Sequence, residues 1–237
     1  VTSGARLRVG MAGRRLEKHL DIVAPSKTNG PSYGAYRNFD LVAPLGIVPS
    51  LPLRMHFTLT EADRQFAKAF LESISVSHRD YVVMAPGSKD QKKQWHVEGF
   101  VELAKRLRAE PALSVVVIYA PDERPEAEAV TRLAGEGIHL APSTTLPQAV
   151  ALIEGARLLI CNDCAINHLS TTLQTPALSL FGKSHPHRWS PGSAFSGKRH
   201  LYKPRNERPS NSGSDFGISV EEAFTAAVEL LNTSSPS

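Results

Sequence analysis

Between Tyr81 and Gly182 the chain alternates short, almost wholly apolar runs with amphipathic segments, and few architectures accept that order. Tyr81 to Ala85, Leu113 to Tyr119, Ile138 to Ala141, Leu158 to Cys161 and Ala177 to Phe181 read as strands. Runs such as VVVIYA and RLLIC lack in–out alternation, so they suit strands covered on both faces. The segments between them have helical spacing. Val97 to Arg108 places Phe100, Leu103, Ala104 and Leu107 on one face, Pro125 to Leu133 follows, and Thr145 opens a further helix with Gln148 at capping-box spacing. Strand–helix alternation of this kind predicts an α/β fold with a parallel sheet, right-handed crossovers and helices on both faces.

The flanks are less regular. Val1 to about Ser75 has one short strand candidate, Leu7 to Met11, and Pro/Gly-rich connections at Pro25–Gly34 and Pro44–Pro52. Thr60 to Ser73 reads as a capped helix. Lys198 to Ser214 reads as a polar linker, and Ser219 to Leu231 as a helix with a Ser219/Glu222 capping box. The termini, Val1–Gly4 and Thr233–Ser237, are expected to fray. The expected division is therefore residues 1–75, 76–202 and 203–237.

With 237 residues, 41% hydrophobic and 21% charged, the chain has an ordinary globular composition. No apolar run is long enough to span a bilayer, and no signal-peptide pattern opens the chain. Two closely spaced cysteines do not make a disulfide framework and favour a reducing compartment. A net charge of +4 suits a phosphate-bearing ligand or an anionic membrane surface. A nucleic-acid surface would need aromatics interleaved with Lys and Arg, and aromatic residues make up only 7% of the chain. The start at Val1 suggests a fragment or a processed product.

The stretch from Ala151 to Pro191 carries the densest chemistry. It reads as helix, strand, the turn Asn162-Asp163-Cys164, a helix bearing His168, a strand, and a basic Gly/Pro loop. A helix start and two polar side chains then lie at the carboxyl end of a buried strand, where open α/β sheets bind anions. The loop from Pro86 to Trp95 follows the first strand: Gly87 would let backbone approach a ligand, Ser88 offers a hydroxyl, and Lys89, Lys92 and Lys93 offer positive charge. It lacks the spacing of a Walker loop. Glu123, just beyond the second strand, is placed to accept hydrogen bonds from ribose hydroxyls. Taken singly, these residues also have plain structural readings: a solvated lysine cluster, a first-turn acid, an N-cap, a packed histidine. Their common position at the carboxyl ends of strands in one sheet favours a site.

Other patterns are set aside. Cys161-Asn-Asp-Cys164 has the spacing of a thioredoxin-like redox motif, and Cys164 and His168 that of a metal pair. No second cysteine pair accompanies them, and Cys161 ends an apolar strand where a thiol packs well. His78-Arg79-Asp80 and Asp215-Phe216-Gly217 mimic kinase signatures without their spacing or nucleotide loop. His185-Pro-His187 lacks nearby ligands of the kind a metal requires.

From Val82 to Pro191 the chain resembles the C-terminal domain of glycosyltransferase family 9, the ADP-heptose:lipopolysaccharide heptosyltransferases. The resemblance rests on Pro86-Gly-Ser88; Lys93-Gln-Trp95 for Lys-x-Trp; the Phe100-x-x-Leu103-Ala-x-x-Leu107 helix; Pro121-Asp-Glu123-Arg; and Thr145-Leu146 for Ser-Leu. It extends through Asn162-Asp-Cys-Ala-Ile-Asn-His168-Leu-Ser170 for Asn-Asp-Thr-Gly-x-x-His-Leu-Ala, then Thr175-Pro176, Phe181-Gly182 and Arg188-Trp-Ser-Pro191. Tyr36 to Ile47 and the final helix are also similar to the family.

This resemblance implies a GT-B fold, two Rossmann-like domains facing across a cleft, with the C-terminal one holding the nucleotide-sugar. It implies inverting, metal-independent transfer without a cofactor, from an ADP-heptose-like donor to a lipid-linked saccharide acceptor of the lipopolysaccharide core. By position, Ser88, Lys93, Asp163, Cys164, Ala165 and His168 would line the diphosphate and sugar pocket. Glu123 would hold the ribose, and backbone near Thr144 would meet the base. A cytoplasmic location, peripheral on the inner face of the inner membrane, follows from the acceptor. Two departures stand out: Thr-Gly is Cys164-Ala165 here, and the Thr-Asp of the Phe-Gly loop is Ser184-His185. The general base and acceptor pocket are expected upstream of Val1, so the isolated chain is not expected to turn over.

Two readings stay open: the donor-binding half of a heptosyltransferase-like enzyme, or a non-catalytic nucleotide-binding or assembly module on the same fold. Loss of a preceding domain would leave the Leu7–Met11 strand with an open edge. It would also leave the stripe Val220, Phe224, Ala227, Val228 and Leu231 needing cover, which predicts self-association or docking on another polypeptide.

Overall fold

The computed structural model describes residues 4–15, 17–25, 33–48, 55–109, 113–190, 197–208 and 216–233. The outer parts of both expected frayed termini, the middle of the Pro25–Gly34 connection, the end of the Pro44–Pro52 connection, Pro191 and Asp215 lie outside them. By its internal contacts the chain divides into two compact units: Val1–Met55 with His187–Trp189, and His56–Pro186 with Ser190–Ser237.

In the first unit, β1 (Val9–Met11) pairs in parallel with β2 (Ile22–Ala24), and α1 (Gly34–Val42) packs on both. The expected strand is therefore present but short, and its neighbour β2 was not read. Three residues interrupted by Asp21 and Pro25 are too few to show a period. Asp21 has its own task, accepting the Arg8 backbone N–H at 2.9 Å and pairing with the Arg8 guanidinium at 3.0 Å.

The second unit is a six-stranded, all-parallel sheet. In chain order its elements are α2 (Glu61–Ser73), β3 (Tyr81–Ala85), α3 (Val97–Ala109), β4 (Ser114–Val117), α4 (Arg124–Ala134), β5 (Ile138–Leu140) and α5 (Leu146–Glu154). They continue with β6 (Leu158–Asn162), α6 (Ala165–Leu169), β7 (Ala177–Phe181), β8 (Lys198–Tyr202) and α8 (Val220–Thr233), while the short α7 (Pro186–Trp189), between β7 and β8 in the chain, belongs from His187 onward to the first unit. The spatial order is β5-β4-β3-β6-β7-β8. The chain winds outward from β3 to β5, returns to β6, and winds outward again, so the order reverses between β3 and β6. The parallel sheet with helices on both faces is as the sequence predicts, and the reversal, which the sequence did not give, opens a crevice.

Alternate residues of the same strands feed two cores. Val82, Met84, Val115, Val117, Leu158, Ile160, Leu178 and Leu180 pack with α3, α4 and α8. Tyr81, Val83, Val116, Leu159 and Cys161 pack with α2 and α5. Burial on both faces explains the uninterrupted apolar runs. The helix starts are as the sequence predicts: Thr60, Thr145 and Ser219 each form a reciprocal capping box, with Asp63, Gln148 and Glu222.

Two expectations change. Helix α2 was grouped with residues 1–75, yet it packs on α5 within the second unit. Lys198–Tyr202, read as the start of a polar linker, is the edge strand β8 and pairs with all of β7. Its charges misled the reading because edge strands carry them to discourage further pairing. Helix α8 lies against α3, β6 and β7 with Ala223, Ala226, Ala227, Leu230 and Leu231 buried; of the expected stripe, Ala227 and Leu231 are buried, Val220 and Phe224 pack on the same core, and Val228 is half-buried.

Candidate functional site

The loops that leave the carboxyl ends of β3, β4, β5 and β6 meet at the strand-order reversal. The loop after β3 is the most constrained. Asn162, wholly buried at the end of β6, accepts the Trp95 backbone N–H at 2.9 Å and donates to the Pro86 carbonyl at 2.6 Å. One carboxamide thus holds both ends of the Pro86–Trp95 loop. The Trp95 indole is 1% exposed and donates from Nε1 to the Ile218 carbonyl at 3.2 Å, which ties the loop to the approach of α8. Asp90 caps the turn Gln91–Lys93 and pairs with Lys183 at 3.0 Å, joining this loop to the one after β7.

The result is a fixed position for Lys93. Its Nζ lies 2.8 Å from Asp163 Oδ2, a carboxylate only 2% exposed, while the Lys93 side chain keeps 25% exposure. The approach is an ion-pair contact, off the line of a good hydrogen bond. His168, one turn into α6, is half-buried. Burial holds its pKa below the ordinary value of 6.5, with the Asp163 charge opposing and the Lys93 charge adding to the effect. Lys93, Asp163 and His168 therefore form one electrostatic group. Lys89 and Lys92, which the sequence offered as further cations, are exposed. Ser88 is buried, and its carbonyl accepts Gln94 Nε2 at 2.8 Å.

A second group lines a cavity of about 250 Å³ alongside. Glu123, Thr144, Cys164 and Ala165 contribute, with Ile118, Tyr119 and Leu146 supplying apolar wall. Ala165 is exposed, so its methyl does not seal the space. Burial raises the Glu123 pKa, and the Ala120 N–H, donating to Glu123 at 3.3 Å, opposes the rise. The sequence reading assigned Gly87 to ligand approach. In the structure its missing side chain makes room for Glu123: a Cβ built on Gly87 would stand 2.4 Å from Glu123 Oε2. The two groups are joined through the chain at Asp163-Cys164-Ala165 and through Gly87 and Glu123.

A larger cavity, about 490 Å³, opens at the opposite, amino-terminal end of the sheet among α2, α5 and Tyr81. Its rim charges neutralise one another: Arg64 pairs with Glu154 at 2.8 Å and Lys68 with Glu72 at 3.8 Å. The smaller cavity is the candidate site because it lies at the carboxyl ends of the strands and Glu123, Thr144, Cys164 and Ala165 line it; Ser88, Lys93, Asp163 and His168 do not line it and stand beside it in the chain.

The role of Asn162 is one that the sequence motif alone does not assign. Its signal was present nonetheless. An amide at the end of an otherwise apolar strand must find partners when buried.

The model of glycosyltransferase family 9 (heptosyltransferase) matches residues 4–209, most of the chain. The chain belongs to this family. Among curated members, lipopolysaccharide heptosyltransferase 3 of Escherichia coli K12 is 27% identical over 227 residues, covering 87% of this chain and 63% of that protein. Lipopolysaccharide core heptosyltransferase OpsX of Haemophilus influenzae is 26% identical over 148 residues, covering 61% of this chain and 41% of that protein. The chain thus spans between two fifths and two thirds of the length of these family members. Among solved structures, the family 9 glycosyl transferase of Veillonella parvula superposes with a TM-score of 0.75 at 20% identity, covering 90% of this chain and 64% of that one. Heptosyltransferase II of E. coli gives 0.66 at 22% identity, with 80% and 57% covered. These likenesses show the fold, that of the GT-B glycosyltransferases of the family.

Proposed function

We propose that this chain is the donor-binding part of a heptosyltransferase-like enzyme, and that the crevice between β3 and β6 takes a nucleoside diphosphate sugar. The observation that carries the reading is the Lys93–Asp163 pair at the switch point, on a loop held by Asn162 and Trp95 and one residue along the chain from Cys164 in the cavity wall. Lys93 is set to turn its ammonium from Asp163 to a diphosphate, stabilising the charge that grows on the leaving group when the sugar departs. His168 stands close enough to add a proton-dependent charge. Glu123, with its pKa raised and its side chain lining the cavity, is placed to hold ribose hydroxyls, and backbone near Thr144 to meet the base. E. coli heptosyltransferase WaaC has been solved with ADP, which supports an adenine nucleotide.

For the whole enzyme the reading extends to inverting, metal-independent transfer of a heptose to a lipid-linked core saccharide. Such an acceptor favours work at the cytoplasmic face of the inner membrane. Among the described residues no helix is long and apolar enough to cross a membrane.

A second reading, a nucleotide-binding module without transfer, draws on Cys164-Ala165, which supply neither the hydroxyl nor the open backbone of Thr-Gly. Thermal melting with ADP, AMP and UDP at equal concentration tests the donor site. ADP should raise the melting temperature most, because AMP lacks the second phosphate and UDP the matching base. Equal shifts with ADP and AMP, or none, would contradict it.

A further inference from the structure

We propose that Cys161 and Cys164 form a reversible disulfide, and that its formation reshapes the cavity wall at Cys164-Ala165. The second half of this proposal rests on the donor-site reading; the first half does not.

The geometry is specific to this turn. Cys161, in β6, is wholly buried, with its sulfur 3.9 Å from Ser179 Oγ. Cys164 stands at the N-cap position of α6, is half-buried, and lines the cavity beside Glu123. Both thiols lie on the α5 side of the sheet, in the same apolar cluster. The two residues between them are held elsewhere, Asn162 by Pro86 and Trp95 and Asp163 by Lys93. These are the two cysteines of the chain, so an internal bond needs no rearrangement of other pairs. The absence of a second Cys-x-x-Cys speaks against a metal site and not against a single dithiol.

The two sulfurs are also unequal. Cys164 is half-buried and borders the cavity, whereas Cys161 is wholly buried, and the effect of each thiol on the other lowers the Cys164 pKa and raises that of Cys161. Cys164 is therefore the attacking thiolate and Cys161 the resolving thiol. With hydrogen peroxide as oxidant, Cys164 sulfur attacks one peroxide oxygen. The O–O bond breaks, water leaves, and Cys164 becomes a sulfenic acid. Cys161 sulfur then attacks Cys164 sulfur: the S–S bond forms, the S–O bond breaks, and the departing hydroxide takes the Cys161 proton. Two thiols and one peroxide give one disulfide and two waters. A dithiol reductant reverses the change.

Joining the sulfurs draws the start of α6 toward β6. It also breaks the contact of Cys161 with Ser179, whose hydroxyl donates to Asn167 Oδ1 at 2.6 Å within α6. Cys164 and Ala165 form the cavity wall, so the pocket changes with them.

The test uses the whole chain. It is treated with hydrogen peroxide, alkylated with a maleimide and weighed intact, with and without dithiothreitol. The expected product has lost two hydrogens, takes up no maleimide, and regains two alkylation sites on reduction. Cys161→Ala should instead trap a dimedone-reactive sulfenic acid at Cys164, and Cys164→Thr should leave Cys161 unoxidised. Retention of both thiols, direct passage to sulfinic acid, or a bond between two chains would overturn the pair. For the cavity, ADP is titrated into reduced and oxidised protein. At least a fivefold weaker affinity after oxidation is expected, and equal affinity overturns the reshaping. If reduced protein binds no ADP, the donor-site reading falls and the cavity half with it, while the mass measurement still decides the disulfide.

Discussion

At the scale of single residues, the site is built by polar groups that could not be left unpaired. Asn162 is the central case. Replacing it with leucine removes the partner of the Trp95 N–H and of the Pro86 carbonyl in a dry environment. We expect Asn162→Leu to cost about 2–3 kcal/mol, or roughly 5–10 °C in melting temperature for a chain of this length. An unchanged melt would show that the loop does not depend on that amide. Histidines give the pH dependence. Burial lowers the pKa of His139, His168 and His200 below 6.5, aided by Arg108 at His139 and by His185 at His200. An unfolded chain then binds more protons than the folded one just below pH 6.5, so stability rises with pH through that window and levels above it. Denaturant midpoints measured from pH 5 to 8 should rise and then flatten, and His168→Asn should make the rise shallower. A midpoint that falls with rising pH would contradict the assignment. Lys93, Asp163 and His168 were legible in the sequence because they sit at fixed offsets from strand ends. The task of Gly87 was not, because its neighbour Glu123 lies 36 positions away.

At the scale of elements, apolar periodicity located every strand from β3 to β7 and every longer helix of the second unit. Capping residues set where α2, α5 and α8 begin. Short or charged elements escaped: β2 offers too few residues to show a period, and β8 carries Lys198, Arg199 and His200 in succession. Lys198 is instructive, since it is buried at the start of an edge strand. Burial pushes its pKa down to about 8, and it donates to the Thr175 carbonyl. Close approach between elements is the other hidden quantity. The turn after β3 and the start of α4 touch through Gly87 and Glu123, so Gly87→Ala should force a shift at the Glu123 Cβ, 2.5 Å from the added carbon. We expect a loss of about 1–3 kcal/mol together with weaker nucleotide binding. Melting and ADP titration of the variant, compared with Gly34→Ala, where φ is ordinary and the nearest atom is 3.4 Å away, would check this. Equal behaviour of the two variants would remove the argument from close approach.

At the scale of the whole molecule, sequence pattern predicted a parallel sheet with helices on both faces, and family membership and fold agree with it. The strand order itself was not legible, because any permutation of five buried strands gives the same apolar runs. What the order adds is location. It brings the loops after β3 and β6 together, and so sets a lysine from one against an aspartate from the other. The central claim is that this pair is the anchor of a diphosphate site. The direct measurement is calorimetric titration of ADP into the wild-type chain and into Lys93→Met. The variant's melting temperature is recorded alongside, because it leaves the Asp163 carboxylate without its partner and should cost about 1–3 kcal/mol. One binding site in the wild type and at least a tenfold loss of affinity in a folded Lys93→Met is the result this account predicts. Binding of equal strength in both proteins, or no heat from the wild type, would contradict it.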